Sequence, residues 1–270
     1  MRRLLIRPGA IGDCILALPA LEYLKTDYSE VWAPSAVVPL IRFADRVRAI
    51  AATGIELVGV GDLEMPEGLR RKLGSFDSIV SWYGANRPEF RHALSSLVAR
   101  CEFHRALPPP GFDGHAIDFF AQQVGAPVGL TPRLASAASD RRRTIIIHPF
   151  SGSARKNWPL DCFRELASRL RGRVEWTAGP EEKLAEAVRF EDLGELATWI
   201  AGADLYIGND AGITHLAAAL GMPTLALFGP TSPRTWAPRG EKVLVLQRDA
   251  WGELSVASVL DAVNRLLDWR

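Results

Sequence analysis

Two rhythms of apolar and polar positions run along the chain. Short apolar runs predict strands, and longer stretches with apolar side chains every three or four positions predict helices. Residues 4–7 predict a strand that ends in a turn at Pro8-Gly9. Ile11, Ile15, Leu18, Leu21 and Leu24 share one face of a predicted helix over 11–25, and Pro19 inside it predicts a kink. Residues 29–33, 56–60 and 78–82 predict three more strands. The rhythm restarts in the second half, with strands predicted at 144–148, 174–178, 205–208 and 224–228. Helices are predicted at 159–171, 181–189, 193–201, 213–220 and 256–269. Residues 131–143 are rich in Ala, Ser and Arg, lack periodicity and read as a linker. This divides the chain into domains at 1–137 and 138–270. Alternating strands and helices imply an α/β protein with parallel sheets. Two such domains facing each other would bind ligands at the carboxyl ends of their strands.

Composition narrows the function classes. The chain has 270 residues, 48% hydrophobic and 23% charged, enough apolar material for a sizeable core. Its 32 Lys and Arg against 31 Asp and Glu leave a net charge of +1. That balance argues against bulk electrostatic binding to nucleic acid or to an anionic membrane, so no nucleic-acid partner is expected. The most apolar run, near 217–228, is interrupted by Gly221 and Pro223, so no membrane-spanning segment is expected. The opening Met1-Arg2-Arg3-Leu4-Leu5-Ile6 has the start of a signal peptide, but Arg7, Pro8, Gly12 and Asp13 break its apolar core. Cys14, Cys101 and Cys162 lie far apart in no metal-ligand spacing, and predict free buried thiols in a reducing cytoplasm.

Four segments carry candidate chemistry. Gly9-Ala10-Ile11-Gly12-Asp13 follows the first strand. Its glycines let backbone approach a ligand, and Asp13 is either a helix cap or first-turn acid, or a general base at the cleft. In the segment from His148 to Pro159, Ser151, Gly152 and Ser153 can offer N–H groups and hydroxyls to an anion, and Lys156 adds a positive charge. The alternative is a solvated basic loop. In the segment from Gly208 to Gly221, Asp210 reads as an N-cap, and the small Ala211 and Gly212 would expose the first-turn N–H groups to a second anion site. An ordinary capped helix explains the same residues. Glu181-Glu182, after Ala178-Gly179-Pro180, places a carboxylate where α/β nucleotide sites hold a ribose diol, or is merely solvated charge.

In this order, the segments resemble glycosyltransferase family 9, the ADP-heptose:lipopolysaccharide heptosyltransferases. The resemblance rests on G-A-I-G-D and L-P-A-L near the start, K-N-W-P at Lys156–Pro159, and G-N-D-A-G-x-T-H-L-A-A-A-L-G-x-P-T with L-F-G-P-T-S-P-R between Gly208 and Arg234. It implies the GT-B architecture, two Rossmann-like domains facing across a cleft. It implies an inverting, metal-independent transfer of heptose from ADP-heptose, a nucleotide diphosphate sugar donor, to a lipopolysaccharide-type or other glycan acceptor. No separate cofactor is implied, and the chain has no Asp-x-Asp to hold a metal. Carried over, Asp13 would be the base, with Gly12 beside it. Ser151, Ser153 and Lys156 would bind the diphosphate and Glu182 the ribose. Asp210, Ala211, Gly212 and His215 would line the helix N-terminus under the phosphates. Many relatives have Thr or Ser where Ala211 stands. A lipid-linked acceptor would bring the protein to the inner face of the membrane from the cytoplasm. The alternatives are a GT-B transferase with another nucleotide sugar, and a non-catalytic nucleotide-binding GT-B protein.

Overall fold

The computed structural model describes residues 1–61, 64–135 and 142–268. The expected domain boundary at 137/138 and the end of the expected last helix at Trp269 lie outside the described residues. Two compact units are present: Met1–Phe112 with Ile117–Val128, and Asp113–Ala116 with Gly129–Arg270.

The first unit is built on a parallel sheet of β1 (Arg2–Ile6), β2 (Tyr28–Ala33), β3 (Arg46–Ala49), β4 (Ser78–Ser81) and β5 (Cys101–Phe103), in the order β3-β2-β1-β4-β5. Its helices are α1 (Ile11–Tyr23), α2 (Glu67–Leu73), α3 (Pro88–Ser95) and most of α4 (Ala116–Gln123). Leu4 and Ile6 of β1 pack with Trp32, Ile79, Phe90 and Leu94 in one core layer. Strands covered on both faces read as continuous apolar runs, which is why β1, β2 and β4 were visible in the sequence. A carboxylate enters this interior. Glu30 of β2 is fully buried and receives Lys72 Nζ at 2.6 Å and Trp32 Nε1 at 2.9 Å.

The second unit repeats the plan with β6 (Thr144–His148), β7 (Arg173–Trp176), β8 (Leu205–Asn209), β9 (Thr224–Phe228) and β10 (Val243–Gln247), ordered β10-β9-β8-β6-β7 and all parallel. The helices are α5 (Leu160–Arg169), α6 (Leu193–Ala201), α7 (Gly212–Ala219), α8 (Pro233–Trp236) and α9 (Val256–Leu267). Ile145, Ile147, Ile207 and Leu227 meet Phe163 and Leu166 of α5 and Val259 and Val263 of α9.

Three expectations are corrected. Residues 56–60 form no strand. Ile55–Leu57 is a 3-10 turn, and Gly54, Gly59 and Gly61 take φ of 74°, 65° and 50°, values that end any extended run. At Gly59 an added Cβ would come within 2.6 Å of the Glu89 carbonyl carbon, so this turn lies directly against α3. Residues 181–189 form no helix. They run through turns to an isolated bridge at Val188, whose N–H donates to Trp176 O at 2.8 Å. Finally, of the cysteines only Cys14 is buried, and Cys101 and Cys162 are half-buried. Helix α1 continues through Pro19. Among the described residues no helix is long and apolar enough to cross a membrane.

Candidate active site

In the second sheet the chain leaves β6 towards β7, then returns to β8 on the other side of β6. Ligands of open α/β sheets bind at such a reversal, beyond the carboxyl ends of the two central strands. Here His148 stands opposite Gly208, so the loop after β6 and the N-terminus of α7 emerge side by side.

Asn209 joins them. Its side chain is fully buried, accepts from Trp158 N–H at 3.0 Å and donates to Pro149 O at 2.8 Å. Both ends of the 149–158 loop are thereby tied to the end of β8. Trp158 anchors the far end, donating to Leu254 O at 3.1 Å and meeting Phe163 edge-on at 4.9 Å. Within the loop, the Ser151 hydroxyl lies 2.8 Å from Ser153 O and 2.7 Å from Asn157 Oδ1. The Ser151 hydroxyl thus braces the loop. Ser153 is half-buried and precedes the 3-10 turn Ala154–Lys156.

Lys156 ends that turn with Nζ 2.8 Å from Asp210 Oδ2, and the Thr231 hydroxyl donates to the same oxygen at 2.7 Å. The Asp210 side chain is 7% exposed and that of Lys156 33%, so the cation is the open member of the pair. The expected capping role of Asp210 is not what the structure contains. The N-cap of α7 is Ala211, with no side-chain acceptor, and the Asp210 carboxylate is held by Lys156 and Thr231 instead. A cap without a side-chain acceptor leaves the first N–H groups of α7, starting at Gly212, for an external acceptor.

Gly208 lets this helix start close to the strand. A Cβ there would lie 2.8 Å from the Tyr206 hydroxyl and 2.9 Å from Thr214 Oγ1. Thr214 in turn donates to Asn209 O at 2.6 Å. His215, one residue on, is buried, and its Nδ1 has no protein partner. Burial lowers its pKa. Asp210 opposes that shift, while His115 and Lys156 reinforce it. The imidazole is neutral near pH 7.

Glu182 sits in the turn after β7. Its Oε2 receives Gly179 N–H at 2.6 Å and faces His148 Nε2 at 3.2 Å. Burial pushes this carboxyl upward, but the bonds from His148 and Gly179 outweigh it and hold the pKa below its ordinary value. The group is an anion with Oε1 left to accept from a diol.

In the first unit, Asp13 occupies the third position of α1, where its Oδ2 accepts Ala10 N–H at 3.1 Å. Gly9 has φ of 128°, and a Cβ there would approach Asp13 Oδ2 to 3.3 Å. Gly12, in the first turn, is half-buried. Asp13 thus follows β1 at the reversal between β1 and β4 in the first sheet.

The structure therefore gathers Lys156, Asp210, Ala211, Gly212 and His215 in one place, with Ser151 and Ser153 in the loop that carries Lys156. It holds Glu182 through His148. Sequence reasoning named His148 only as a strand end and passed over Asn209, Thr214 and Thr231. The signal for Asn209 was a side chain with two donors and an acceptor closing an apolar strand, a position that demands partners. Among the described residues no group of three or more His, Cys, Asp or Glu side chains is placed to hold a metal ion.

Residues 122–257 match the family model described as glycosyltransferase family 9 (heptosyltransferase). The chain is 28% identical over 295 aligned residues to lipopolysaccharide heptosyltransferase 1 of Pseudomonas aeruginosa, covering 86% of this chain and 80% of that one. Among solved structures it resembles the Escherichia coli ADP-heptose lipopolysaccharide heptosyltransferase II, with a TM-score of 0.73, 19% identity and coverage of 99% and 98%. It is also similar to a family 9 glycosyl transferase from Veillonella parvula, with a TM-score of 0.75, 17% identity and coverage of 100% and 98%. These structural likenesses establish the α/β GT-B architecture.

Proposed function

The chain belongs to glycosyltransferase family 9, and from that premise we propose that it transfers heptose from ADP-heptose to a lipopolysaccharide-type acceptor without a metal. The observation that carries this reading is the Lys156–Asp210–Thr231 cluster beside the uncapped start of α7. It offers a cation and backbone N–H groups to a diphosphate.

The chemistry follows from charge. The bond from the anomeric carbon to the diphosphate oxygen breaks, and its electron pair leaves with ADP. Lys156 and the N–H groups of Gly212 and its neighbours stabilise that developing charge from positions already set before the reaction. Ser153, in the loop that carries Lys156, would add a hydroxyl. Glu182 accepts from the ribose hydroxyls, and its charge strengthens both bonds. An acceptor hydroxyl attacks the anomeric carbon and its proton passes to Asp13. Attack opposite the leaving group inverts the anomeric centre. A lipid-linked acceptor would bring the protein to the inner face of the membrane, in the cytoplasm.

The test has two arms. ADP, UDP, GDP and their sugar conjugates are compared for thermal stabilisation, since a ligand that binds the native state raises stability by mass action. ADP release from ADP-heptose is then followed with a heptose-deficient lipopolysaccharide acceptor, with and without EDTA. Selective stabilisation by ADP and acceptor-dependent turnover in EDTA are expected. Preference for UDP or GDP would move the donor to another nucleotide sugar. Loss of turnover in EDTA, restored by a divalent ion, would overturn the metal-free mechanism.

A further inference from the structure

Arg7 is the first residue beyond β1 and is fully buried. One terminal nitrogen donates to the Asp13 carbonyl at 2.9 Å and the other to the Ala106 carbonyl at 2.9 Å. The guanidinium lies over the Phe120 ring, 4.4 Å from its centroid. Its Nε has no protein partner. Burial pulls the pKa of the group down, while the Cys14 thiol and then the Asp13 carboxylate act to raise it. Arginine nevertheless remains protonated in proteins.

A cation in an apolar interior is costly, and a side chain such as Met fills similar space without that cost. A planar fork supplies something Met cannot. It holds two carbonyls, one in the first turn of α1 and one in the loop after β5, in one fixed geometry. The second loop is itself braced, because Gln123 Nε2 donates to Arg105 O at 3.2 Å and Trp82 Nε1 donates to Gln123 Oε1 at 2.8 Å. The ends of β1, β4 and β5 are therefore tied together around Arg7, directly behind the turn that bears Asp13.

We infer that Arg7 is a positioning residue for Asp13: its guanidinium locks the first turn of α1 to the loop after β5, so that the Asp13 carboxylate is presented to the acceptor hydroxyl. This rests on the reading of Asp13 as the general base. A base must sit within hydrogen-bond reach of the proton it takes, and small displacements are costly in rate. The donor groups Lys156 and Glu182 belong to the second unit, so Arg7 should affect turnover and not donor binding.

The experiment is a double-mutant cycle in the transfer assay. It uses wild type, Arg7→Met, Arg7→Lys, Asp13→Asn and the combined variants, with amide exchange measured over residues 10–15. Arg7→Met is expected to lower kcat about tenfold or more with donor KM within about twofold. Arg7→Lys keeps the charge and one hydrogen bond, and should recover part of the loss. In the Asp13→Asn background Arg7→Met should cost less than about twofold, because the carboxylate it positions is gone. Faster exchange should be confined to 10–15. Equal losses in both backgrounds, a parallel loss of donor affinity, or unchanged kcat would overturn the inference. If Arg7→Met does not fold, the Arg7→Lys cycle carries the same comparison. If wild type transfers no heptose, the functional reading fails by itself. Exchange then decides the remaining point, and wild-type exchange at 10–15 in the Arg7 variants overturns the positioning role.

Discussion

Lys156 is placed to serve two states if it binds the diphosphate as proposed. In the free protein it neutralises Asp210, which Thr231 also holds. Nζ carries three hydrogens, so the same ammonium can keep Asp210 and still donate to a phosphate. Lys156→Ala removes that donor and leaves a nearly buried carboxylate beside an anionic ligand. The expected loss of ADP affinity is at least about 1.5–3 kcal/mol, the worth of a hydrogen bond to a charged group. Titration calorimetry of wild type and variant in EDTA measures it. Combining Lys156→Ala with Asp210→Asn should restore part of the affinity, since the unpaired charge is then gone. No restoration would mean that Asp210 does not oppose the phosphates.

Among the elements, β8 and α7 have the least room to vary. The strand ends in Gly208-Asn209, and the helix begins three residues later with Thr214 bonded back to Asn209 O. Gly208 is needed for that closeness and not for an unusual φ, because a Cβ would meet the Tyr206 hydroxyl and Thr214 Oγ1 inside 3.0 Å. Gly208→Ala should destabilise by about 1–3 kcal/mol, the usual cost of forcing volume into a packed site. It should also weaken ADP binding by shifting the first turn of α7. Denaturant unfolding and calorimetry check the two effects. A stable variant with wild-type affinity would show that the helix start yields without cost. By contrast, Gly152 lies in open space, and Gly152→Ala should leave stability unchanged.

For the molecule as a whole, one buried histidine makes stability depend on pH. His215 is buried and neutral, with its pKa lowered chiefly by burial. An unfolded chain takes up a proton at this histidine below about pH 6.5, and the folded protein resists doing so until the pH is lower. The unfolded state therefore binds more protons in that window, and stability falls as pH drops below about 6.5. His215→Gln removes this dependence, so urea midpoints of wild type and variant should converge as pH is lowered from 7 to 5. ADP should oppose the loss in wild type by binding only the folded state. Parallel pH profiles for the two proteins would show that His215 contributes nothing to the acid limb.

The α/β plan was legible because central strands of a parallel sheet are buried on both faces and read as unbroken apolar runs. Thr144–His148 and Thr224–Phe228 are visible without any structure. Three edge strands were missed: Arg46–Ala49 and Cys101–Phe103 are covered less completely and carry a weak apolar signal, whereas Val243–Gln247 was missed although its first four residues form an unbroken apolar run. Residues 181–189 show apolar spacing that suits a helix, yet they form turns, and the Val188–Trp176 bond ties their far end to the end of β7, because tertiary contacts can override local propensity. The candidate site was legible as residue types in order: Asp13 after a glycine turn, Lys156 in a loop, Glu182 after a strand, Ala211-Gly212 at a helix start. Their partners were not. Asp210 reads as a cap in sequence, but a carboxylate takes whichever donors the fold brings nearest, and here those are Lys156 and Thr231, 54 and 21 residues away. Arg7 looked only like an interruption of an apolar run, since a guanidinium's two carbonyl partners, 6 and 99 residues distant, exist only once the sheet has formed. Local pattern follows from periodicity, whereas hydrogen bonds between distant segments are decided by packing.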